Sequence, residues 1–165
     1  MNAARGLHGR HGAGFTLVEL LTALTVLGVL AAVAVPGLRE FAVGQQVKSL
    51  TYDMTSDLLL ARSEALTRNA SVQMTPLKET WASGWTLRAG TENISTRNAG
   101  SDALSFAAVP SVPTLIAFNS QGRVSAPNAP VRMTISAPGQ AADSSKRCLQ
   151  IDLSGRARSA VGACP

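Results

Sequence analysis

Side chains that can serve acid–base or nucleophilic chemistry are scarce in this chain. Enzymes most often use histidine as a general base and a reactive thiol or hydroxyl as a nucleophile. The two histidines, His8 and His11, precede residue 15, and the two thiols, Cys148 and Cys164, lie near the C-terminus. The sequence contains no glycine-rich phosphate loop and no pair of acids at a metal-ligand spacing. We therefore expect a protein that is not an enzyme and has no catalytic, cofactor or metal site.

The segment that must position everything downstream is a long apolar run near the N-terminus. Residues 15–35 contain a single charged side chain, Glu19, and their length suits a transmembrane helix, which needs about 20 apolar residues. The preceding 14 residues contain Arg5 and Arg10 and no acid. Because positive charge favours the cytoplasmic side of a membrane, we expect the N-terminus in the cytoplasm. The rest of the chain is then delivered across that membrane.

The two cysteines are best explained as a pair. In a domain that lies outside the cytoplasm, two cysteines and no others predict one disulfide, Cys148–Cys164. Closing a loop of about 15 residues stabilises a fold by roughly 3 kcal/mol in the chain-entropy model. The alternative, a zinc site, needs four ligands, and no histidine follows residue 14.

Positive charge is concentrated in the last third of the chain. The formal charge is +5 overall, an excess too small by itself to indicate a nucleic-acid partner. From residue 123 onward, however, six basic residues face two acids, which gives this third a charge of +4. The basic residues are Arg123, Arg132, Lys146, Arg147, Arg156 and Arg158, and the acids are Asp143 and Asp152.

An amphipathic helix follows the apolar run. Pro36 and Gly37 interrupt the helix without necessarily ending it. Apolar side chains then recur at spacings of three and four, which predicts one helical stripe that packs on a core. These are Val47, Leu50, Met54, Leu58, Ala61 and Ala65. Asp53 and Asp57 lie off the stripe, and we expect them on a solvated face. The helix is predicted to end near Asn69.

The remaining residues, 70–165, predict a β-rich head. Short segments with alternating apolar residues are separated by turn-forming sequences. The candidate strands are 70–75, 84–89, 103–109, 114–119, 131–137, 147–153 and 156–161. We expect an antiparallel sheet or small sandwich, with the amphipathic helix covering one face. The polar segment 91–102 is predicted to be a mobile loop, and Trp81 and Trp85 are expected in the core.

The N-terminal segment resembles a known export signal. A short basic leader followed by Gly-Phe-Thr-Leu-Val-Glu-Leu-Leu at residues 14–21 is similar to the N-terminus of type IV pilins and type II secretion pseudopilins. The resemblance implies cleavage after Gly14 by the prepilin peptidase on the cytoplasmic face, and N-methylation of the new N-terminus at Phe15. An ordinary secretory signal is the alternative; it would need a small-residue cleavage site such as 31–34, and it leaves Glu19 unexplained.

Glu19 has two interpretations. A carboxylate inside the hydrocarbon costs about 2.5–3.5 kcal/mol on insertion scales, so such residues are usually functional and paired. Cleavage would create a free amine at Phe15, and in a filament of parallel helices Glu19 of one subunit would neutralise the amine of its neighbour. The alternative is that Glu19 sits in the first helical turn, where the helix dipole favours an acid.

Three further segments narrow the family. The sequence Leu-Ala-Arg-Ser-Glu-Ala-Leu-Thr-Arg-Asn at residues 60–69 resembles a helix of the GspH/FimT group of minor pseudopilins and pilins, and Trp-Ala-Ser-Gly-Trp at 81–85 resembles a strand entry of the same group. The segment from Cys148 to Cys164 resembles the tail of FimT-like minor pilins. The resemblance implies an α+β, pilin-like fold with a long N-terminal helix, half transmembrane and half amphipathic, on an antiparallel head.

The resemblance sets the expected domain organisation and partners. The leader is 1–14, the transmembrane segment is 15–36, the amphipathic helix is 37–69, and the periplasmic head with a disulfide-closed tail is 70–165. The implied partners are other pilin or pseudopilin subunits, the prepilin peptidase and inner-membrane lipid. No cofactor is implied.

The tail separates two roles. The resemblance to FimT-like proteins implies contact with duplex DNA, for uptake in natural transformation. The contact would be made through a Gly-Arg-x-Arg motif, here Gly155, Arg156 and Arg158. Two residues apart on a strand, the arginines would point the same way, with Arg147 and Lys146 as neighbours on the preceding strand. The alternative is a structural H-type pseudopilin at the tip of a type II secretion filament, which binds no DNA. In that role the arginines are solvated charges that protect a strand edge from aggregation.

Overall fold

A computed structural model describes most of the chain. The described residues are 15–99, 103–139 and 142–165, apart from the side chain of Pro36. The expected leader, 1–14, and with it the Gly14 side of the expected cleavage site, lies outside these residues.

Helix α1 (Leu17–Arg68) begins with a side-chain cap. The Thr16 hydroxyl accepts a hydrogen bond from the Glu19 backbone N–H at 3.2 Å. The Thr16 carbonyl accepts the first helical bond, from the Leu20 N–H at 3.1 Å. Thr16 and Glu19 thus occupy the N-cap and N3 positions of a capping-box sequence. At that position Glu19 also benefits from the helix dipole, whether or not it has a partner in another subunit.

The described chain divides into two units, one that ends at Arg39 and one that begins at Glu40. In the first unit, all side chains from Phe15 to Val35 are exposed. This part of α1 is long and apolar enough to cross a membrane. The helix continues through Pro36 without a break.

The end of α1 is a Schellman motif. Asn69 adopts a left-handed φ of 48°. Its N–H donates to the Leu66 carbonyl at 3.4 Å, and the Ala70 N–H donates to the Ala65 carbonyl at 3.2 Å. Asparagine tolerates this conformation better than most residues. The helix therefore ends at Arg68, in agreement with the predicted end near Asn69.

Nine strands follow the helix among the described residues, and all pair antiparallel. They are β1 (Val72–Leu77), β2 (Thr80–Ala89), β3 (Glu92–Asn98), β4 (Ser105–Ala108), β5 (Ile116–Phe118), β6 (Val124–Ala126), β7 (Val131–Ser136), β8 (Arg147–Ile151) and β9 (Ala157–Val161). One sheet has the order β3-β2-β1-β5-β6, and the other has the order β4-β7-β8-β9. A short 3₁₀ turn, Asp143–Ser145, precedes β8.

The core of the second unit joins the helix to both sheets. All six apolar residues of the predicted helical stripe are buried, from Val47 to Ala65. They belong to one cluster with inward side chains of the five-stranded sheet, such as Trp85, and of the four-stranded sheet, such as Met133. Trp81 is also buried, and its indole N–H donates to the Pro113 carbonyl at 2.8 Å. The α+β class, the helical stripe and the core placement of both tryptophans are confirmed.

The predicted mobile loop at 91–102 is wrong. Its described part contains strand β3, which pairs with β2 from Gly84↔Asn98 to Ala89↔Glu92. The strand lies at the edge of its sheet, where one face and one edge are solvated. Polar residues are favoured on such an edge, so polarity here indicates an edge strand instead of a loop. Strand β6 was also missed, because three residues are too few to show alternation.

The predicted solvated position of Asp57 is also wrong. Its side chain is buried, and one carboxylate oxygen accepts hydrogen bonds from the Trp85 indole N–H at 2.8 Å and from Arg97 Nε at 2.6 Å. Arg97 Nη2 reaches the other oxygen at 3.2 Å. The hydrogen bonds between Arg97 and Asp57 raise the pKa of Arg97. Together with the bond from Trp85 they tie β2 and β3 to the helix. Asp53 is half-buried, 3.6 Å from Arg97 Nη1.

Candidate functional site

The Gly-Arg-x-Arg motif lies on the hairpin of β8 and β9. In its turn, the Gly155 N–H donates to the Asp152 carbonyl at 2.9 Å, and the Asp152 N–H donates to the Arg156 carbonyl at 3.2 Å. The Asp152 carboxylate accepts from the Ser154 hydroxyl at 2.5 Å and from the Arg156 N–H at 3.0 Å. These four hydrogen bonds fix the backbone that carries Arg156.

Gly155 serves the backbone of this turn. Its φ is 82°, in the left-handed region that favours glycine, and a Cβ built on it would lie 2.0 Å from the Gly122 carbonyl oxygen. Gly155 is buried. The structure thus gives Gly155 a packing role, and the arginine that follows it carries the exposed charge.

Arg156 and Arg158 are both exposed. Within the described part of the chain, neither forms an ion pair. Arg158 Nε donates to the Gln150 side-chain oxygen at 3.1 Å. The strand register pairs Arg158 with Gln150, and Gln150 with Arg132. Because cross-strand neighbours share a face, Arg132 and Arg158 flank Gln150 on one face of the sheet, and Arg132 is a cation that sequence reasoning missed there.

Lys146 and Arg147 are not brought to the same place as the motif. Arg147 lies two residues before buried Leu149 on β8, so these two side chains share a face. Gln150 lies on the opposite face. One terminal nitrogen of Arg147 donates to the Lys146 carbonyl at 2.8 Å. The Lys146 ammonium lies 3.0 Å from an Asp143 carboxylate oxygen. Both residues sit at the far end of β8 from the turn, about 10 Å or more away at 3.3 Å per residue.

Asp152 is the acid nearest to the motif in sequence. Hydrogen bonds from the Ser154 hydroxyl and the Arg156 N–H lower the pKa of Asp152, and the nearby charge of Arg158 lowers it further. The carboxylate is therefore ionised at neutral pH. Its negative charge partly offsets the positive charge of the two arginines.

A disulfide holds the chain end against the hairpin. Cys148 of β8 is bonded to Cys164, with a Cα–Cα distance of 4.8 Å, as expected from the sequence. The Cys164 N–H donates to the Thr134 hydroxyl at 2.9 Å. The last residues therefore lie across β8 and β7, and an Arg132 terminal nitrogen is 3.4 Å from the Pro165 carbonyl.

Two further arginines border the motif, and sequence reasoning placed neither of them beside it. Gly122, whose carbonyl faces Gly155, is followed by exposed Arg123. Arg62 of α1 donates from Nε to that same Gly122 carbonyl at 3.0 Å. A signal for Arg123 existed in the sequence, because a Gly-Arg pair occurs at 122–123 as well as at 155–156. Arg62 carried no such signal.

Family comparison covers most of the chain. Residues 51–155 match the sequence model of the family described as type II transport protein GspH, and residues 9–35 match the prokaryotic N-terminal methylation motif. The chain belongs to the GspH family. The GspH match ends at Gly155, so it does not extend to Arg156 or Arg158. No curated protein sequence matches the chain significantly.

Solved structures with the same fold come from both filament systems. The type IV minor pilin FimU of Pseudomonas aeruginosa is 20% identical, with a TM-score of 0.59, over 69% of this chain and 87% of that one. A second crystal form of FimU gives a TM-score of 0.57. The minor pseudopilin EpsH of the Vibrio cholerae type 2 secretion system is 16% identical, with a TM-score of 0.52, over 70% of this chain and 97% of that one.

GspH-family membership confirms the resemblance and the pilin-like fold. The protein is a minor pilin or pseudopilin of the type IV pilus and type II secretion class. Subunits of this class assemble with other pilins or pseudopilins, and the methylation motif implies processing by a prepilin peptidase. The family is structural and is not known for enzymatic activity.

Proposed function

We propose that this GspH-family subunit binds duplex DNA without sequence preference, for uptake in natural transformation. The observation that carries the proposal is a pair of exposed arginines that form no ion pair within the described residues: Arg156, in a turn held by backbone and side-chain hydrogen bonds, and Arg158, two residues later on β9. Because the turn is already ordered, little backbone conformational entropy is lost when phosphates bind.

The contact is electrostatic. Guanidinium groups bind phosphate oxygens, which fixes position on the duplex without reading its sequence. Each phosphate that a protein neutralises releases counterions, so affinity falls as salt rises, with a slope of about −0.9 per contact. The segment from Cys148 to Cys164 contains no aromatic residue, and base stacking therefore has no part in this interaction.

The proposed topology places the arginines outside the cytoplasm. In it, 1–14 is removed as a leader, 15–36 spans the inner membrane with its N-terminus in the cytoplasm, and the head formed by 37–69 and 70–165 faces the periplasm. Glu19 then neutralises the methylated amine of Phe15 on a neighbouring subunit. The exposed side chains of 15–35 are available both to lipid and to neighbouring helices.

A binding measurement on the full chain in an uncharged detergent tests this function. A short labelled duplex is titrated and its fluorescence anisotropy is recorded. Removal of two phosphate contacts by Arg156→Gln plus Arg158→Gln should weaken binding about 60-fold at about 0.1 M salt. The matched control is Lys78→Gln plus Arg88→Gln, which removes the same charge from exposed positions on the five-stranded sheet and its β1–β2 turn. Equal binding by the two double variants would reject the proposal.

A structural role at the tip of a type II secretion filament is the second candidate. The description of the matched family, a type II transport protein, favours it, and so does the position of Asp152 beside the arginines. In this role β9 is an edge strand that its charges protect from aggregation. The same titration separates the two: a structural subunit shows no DNA binding at low salt.

A further inference from the structure

Two turns of the head have the same hydrogen-bonding pattern. The turn between β5 and β6 runs from Asn119 to Arg123, and the turn between β8 and β9 runs from Asp152 to Arg156. Each begins with an Asn or Asp and has a glycine three residues later and an arginine four residues later. In the first turn, the Gly122 N–H donates to the Asn119 carbonyl at 2.8 Å, and the Asn119 N–H donates to the Arg123 carbonyl at 2.9 Å.

The side-chain bond at the arginine is also repeated. The Arg123 N–H donates to the Asn119 side-chain oxygen at 3.0 Å, and the Arg156 N–H donates to the Asp152 carboxylate at 3.0 Å. Both glycines are in the left-handed region, with φ of 69° at Gly122 and 82° at Gly155. Each arginine therefore leaves an equivalent backbone position, and both side chains are exposed.

The two turns pack directly against each other. The Gly122 carbonyl occupies the space that a side chain at Gly155 would need. A backbone hydrogen bond from the Val124 N–H to the Leu153 carbonyl, 3.2 Å long, joins the same two segments. The contact is between backbones, at Gly122 and Gly155. Arg123 and Arg156 are the residues that follow these two glycines.

Arg62 holds the junction from the helix. Its Nε donates to the Gly122 carbonyl at 3.0 Å and lies 3.2 Å from the position of a Cβ on Gly155. Arg62 is half-buried, so its guanidinium is fixed beside both turns. It contributes positive charge to the junction.

From this paired geometry we infer that Arg123 is a second phosphate-contacting residue, which acts together with Arg156 on the same duplex. The inference rests on the proposed DNA-binding function and enlarges its site from one hairpin to a surface formed by two turns. Arg62 is a positioning residue for this surface. Within the described residues, Arg123 forms no ion pair, so its charge is available to a phosphate.

The test is the salt dependence of duplex affinity, measured with the full chain in an uncharged detergent. Loss of one phosphate contact in Arg123→Gln should make the slope of log K against log salt shallower by about 0.9 and weaken binding about eightfold at about 0.1 M salt. Arg123→Lys keeps the charge and should keep the slope. Lys78→Gln is the control. Lys78 is exposed in the turn that follows β1, whereas β5, the strand that leads to Arg123, pairs with the beginning of β1.

The outcomes separate this inference from the function on which it rests. If Arg123→Gln matches Lys78→Gln while Arg156→Gln still makes the slope shallower, the second turn takes no part and the proposed function stands. If Arg123→Lys makes the slope of log K against log salt as shallow as Arg123→Gln does, the effect is structural and the inference is wrong. If the wild-type chain shows no salt-dependent binding, both fall together.

Discussion

Replacement of Gly155 by alanine should destabilise the head more than the same change at another glycine with the same backbone angle. Gly155 has a φ of 82° and Gly139 has a φ of 79°. At Gly139 no atom of the described residues lies within 4 Å of a new Cβ, whereas at Gly155 the Gly122 carbonyl oxygen is 2.0 Å away. The two substitutions therefore share the strain of a left-handed alanine and differ in the clash.

The magnitude follows from this difference. A left-handed conformation costs an L-residue about 1–2 kcal/mol, and this applies at both positions. At Gly155 the obstacle is backbone, which moves only if the paired turns separate, and overpacking of this kind costs about 1–3 kcal/mol more. We expect a loss of about 1–2 kcal/mol for Gly139→Ala and about 2–5 kcal/mol for Gly155→Ala.

Urea unfolding followed by tryptophan fluorescence measures both variants. The only two tryptophans, Trp81 and Trp85, are buried in the core of the head, so their emission reports its unfolding. Equal losses for the two variants would show that the turns separate without cost, and would refute the packing role of Gly155. A Gly155→Ala variant that is too unstable to purify, beside a folded Gly139→Ala, agrees with the expected order.

Three further predictions concern other parts of the molecule. Asp57→Asn should cost about 2–3 kcal/mol in urea unfolding, because it weakens charge-assisted bonds at a buried site while half-exposed Arg97 regains some solvation. Asp152→Asn should keep its turn, as Asn119 does in the other turn, and should tighten DNA binding up to about fivefold. Because the pKa of Asp152 is lowered in the folded state, its contribution to stability is present above about pH 4 and is lost as the pH falls through the folded value; the asparagine variant should lose less stability in acid. Glu19→Ala should reduce incorporation into filaments, and normal incorporation on immunoblots of sheared filaments would contradict the pairing with a neighbouring amine.

Local periodicity was sufficient to predict the helix. Burial from Val47 to Ala65 follows the spacing of three and four, and the helix ends where Asn69 can adopt a left-handed conformation. Asp57 shows the limit of the same reasoning. It lies next to Leu58 of the stripe, and only Trp85 and Arg97, which arrive from distant strands, make its burial favourable.

The strand pattern was predictable where apolar residues alternate. The prediction failed at β3, because an edge strand is partly solvated and can consist mainly of polar residues. It also failed at β6, which is three residues long. In both cases the strand is stabilised by backbone pairing with a neighbouring strand, and the local sequence shows no pattern for this pairing.

The candidate site was predicted in part. The motif at 155–158 and the disulfide were visible in the sequence. The separation of Arg147 from Arg158 depends on strand register, which the turn at 152–156 fixes. The contact between Gly122 and Gly155 joins two hairpins that are far apart in sequence, and no local pattern encodes such a contact.

The most direct measurement is the equilibrium binding of the wild-type chain to two duplexes of unrelated sequence between about 50 and 200 mM salt. Three phosphate contacts, from Arg123, Arg156 and Arg158, predict a slope of about −2.7 for log K against log salt, with equal affinity for both duplexes. An absence of binding at the lowest salt, or an affinity that does not change with salt, would contradict DNA binding by this head.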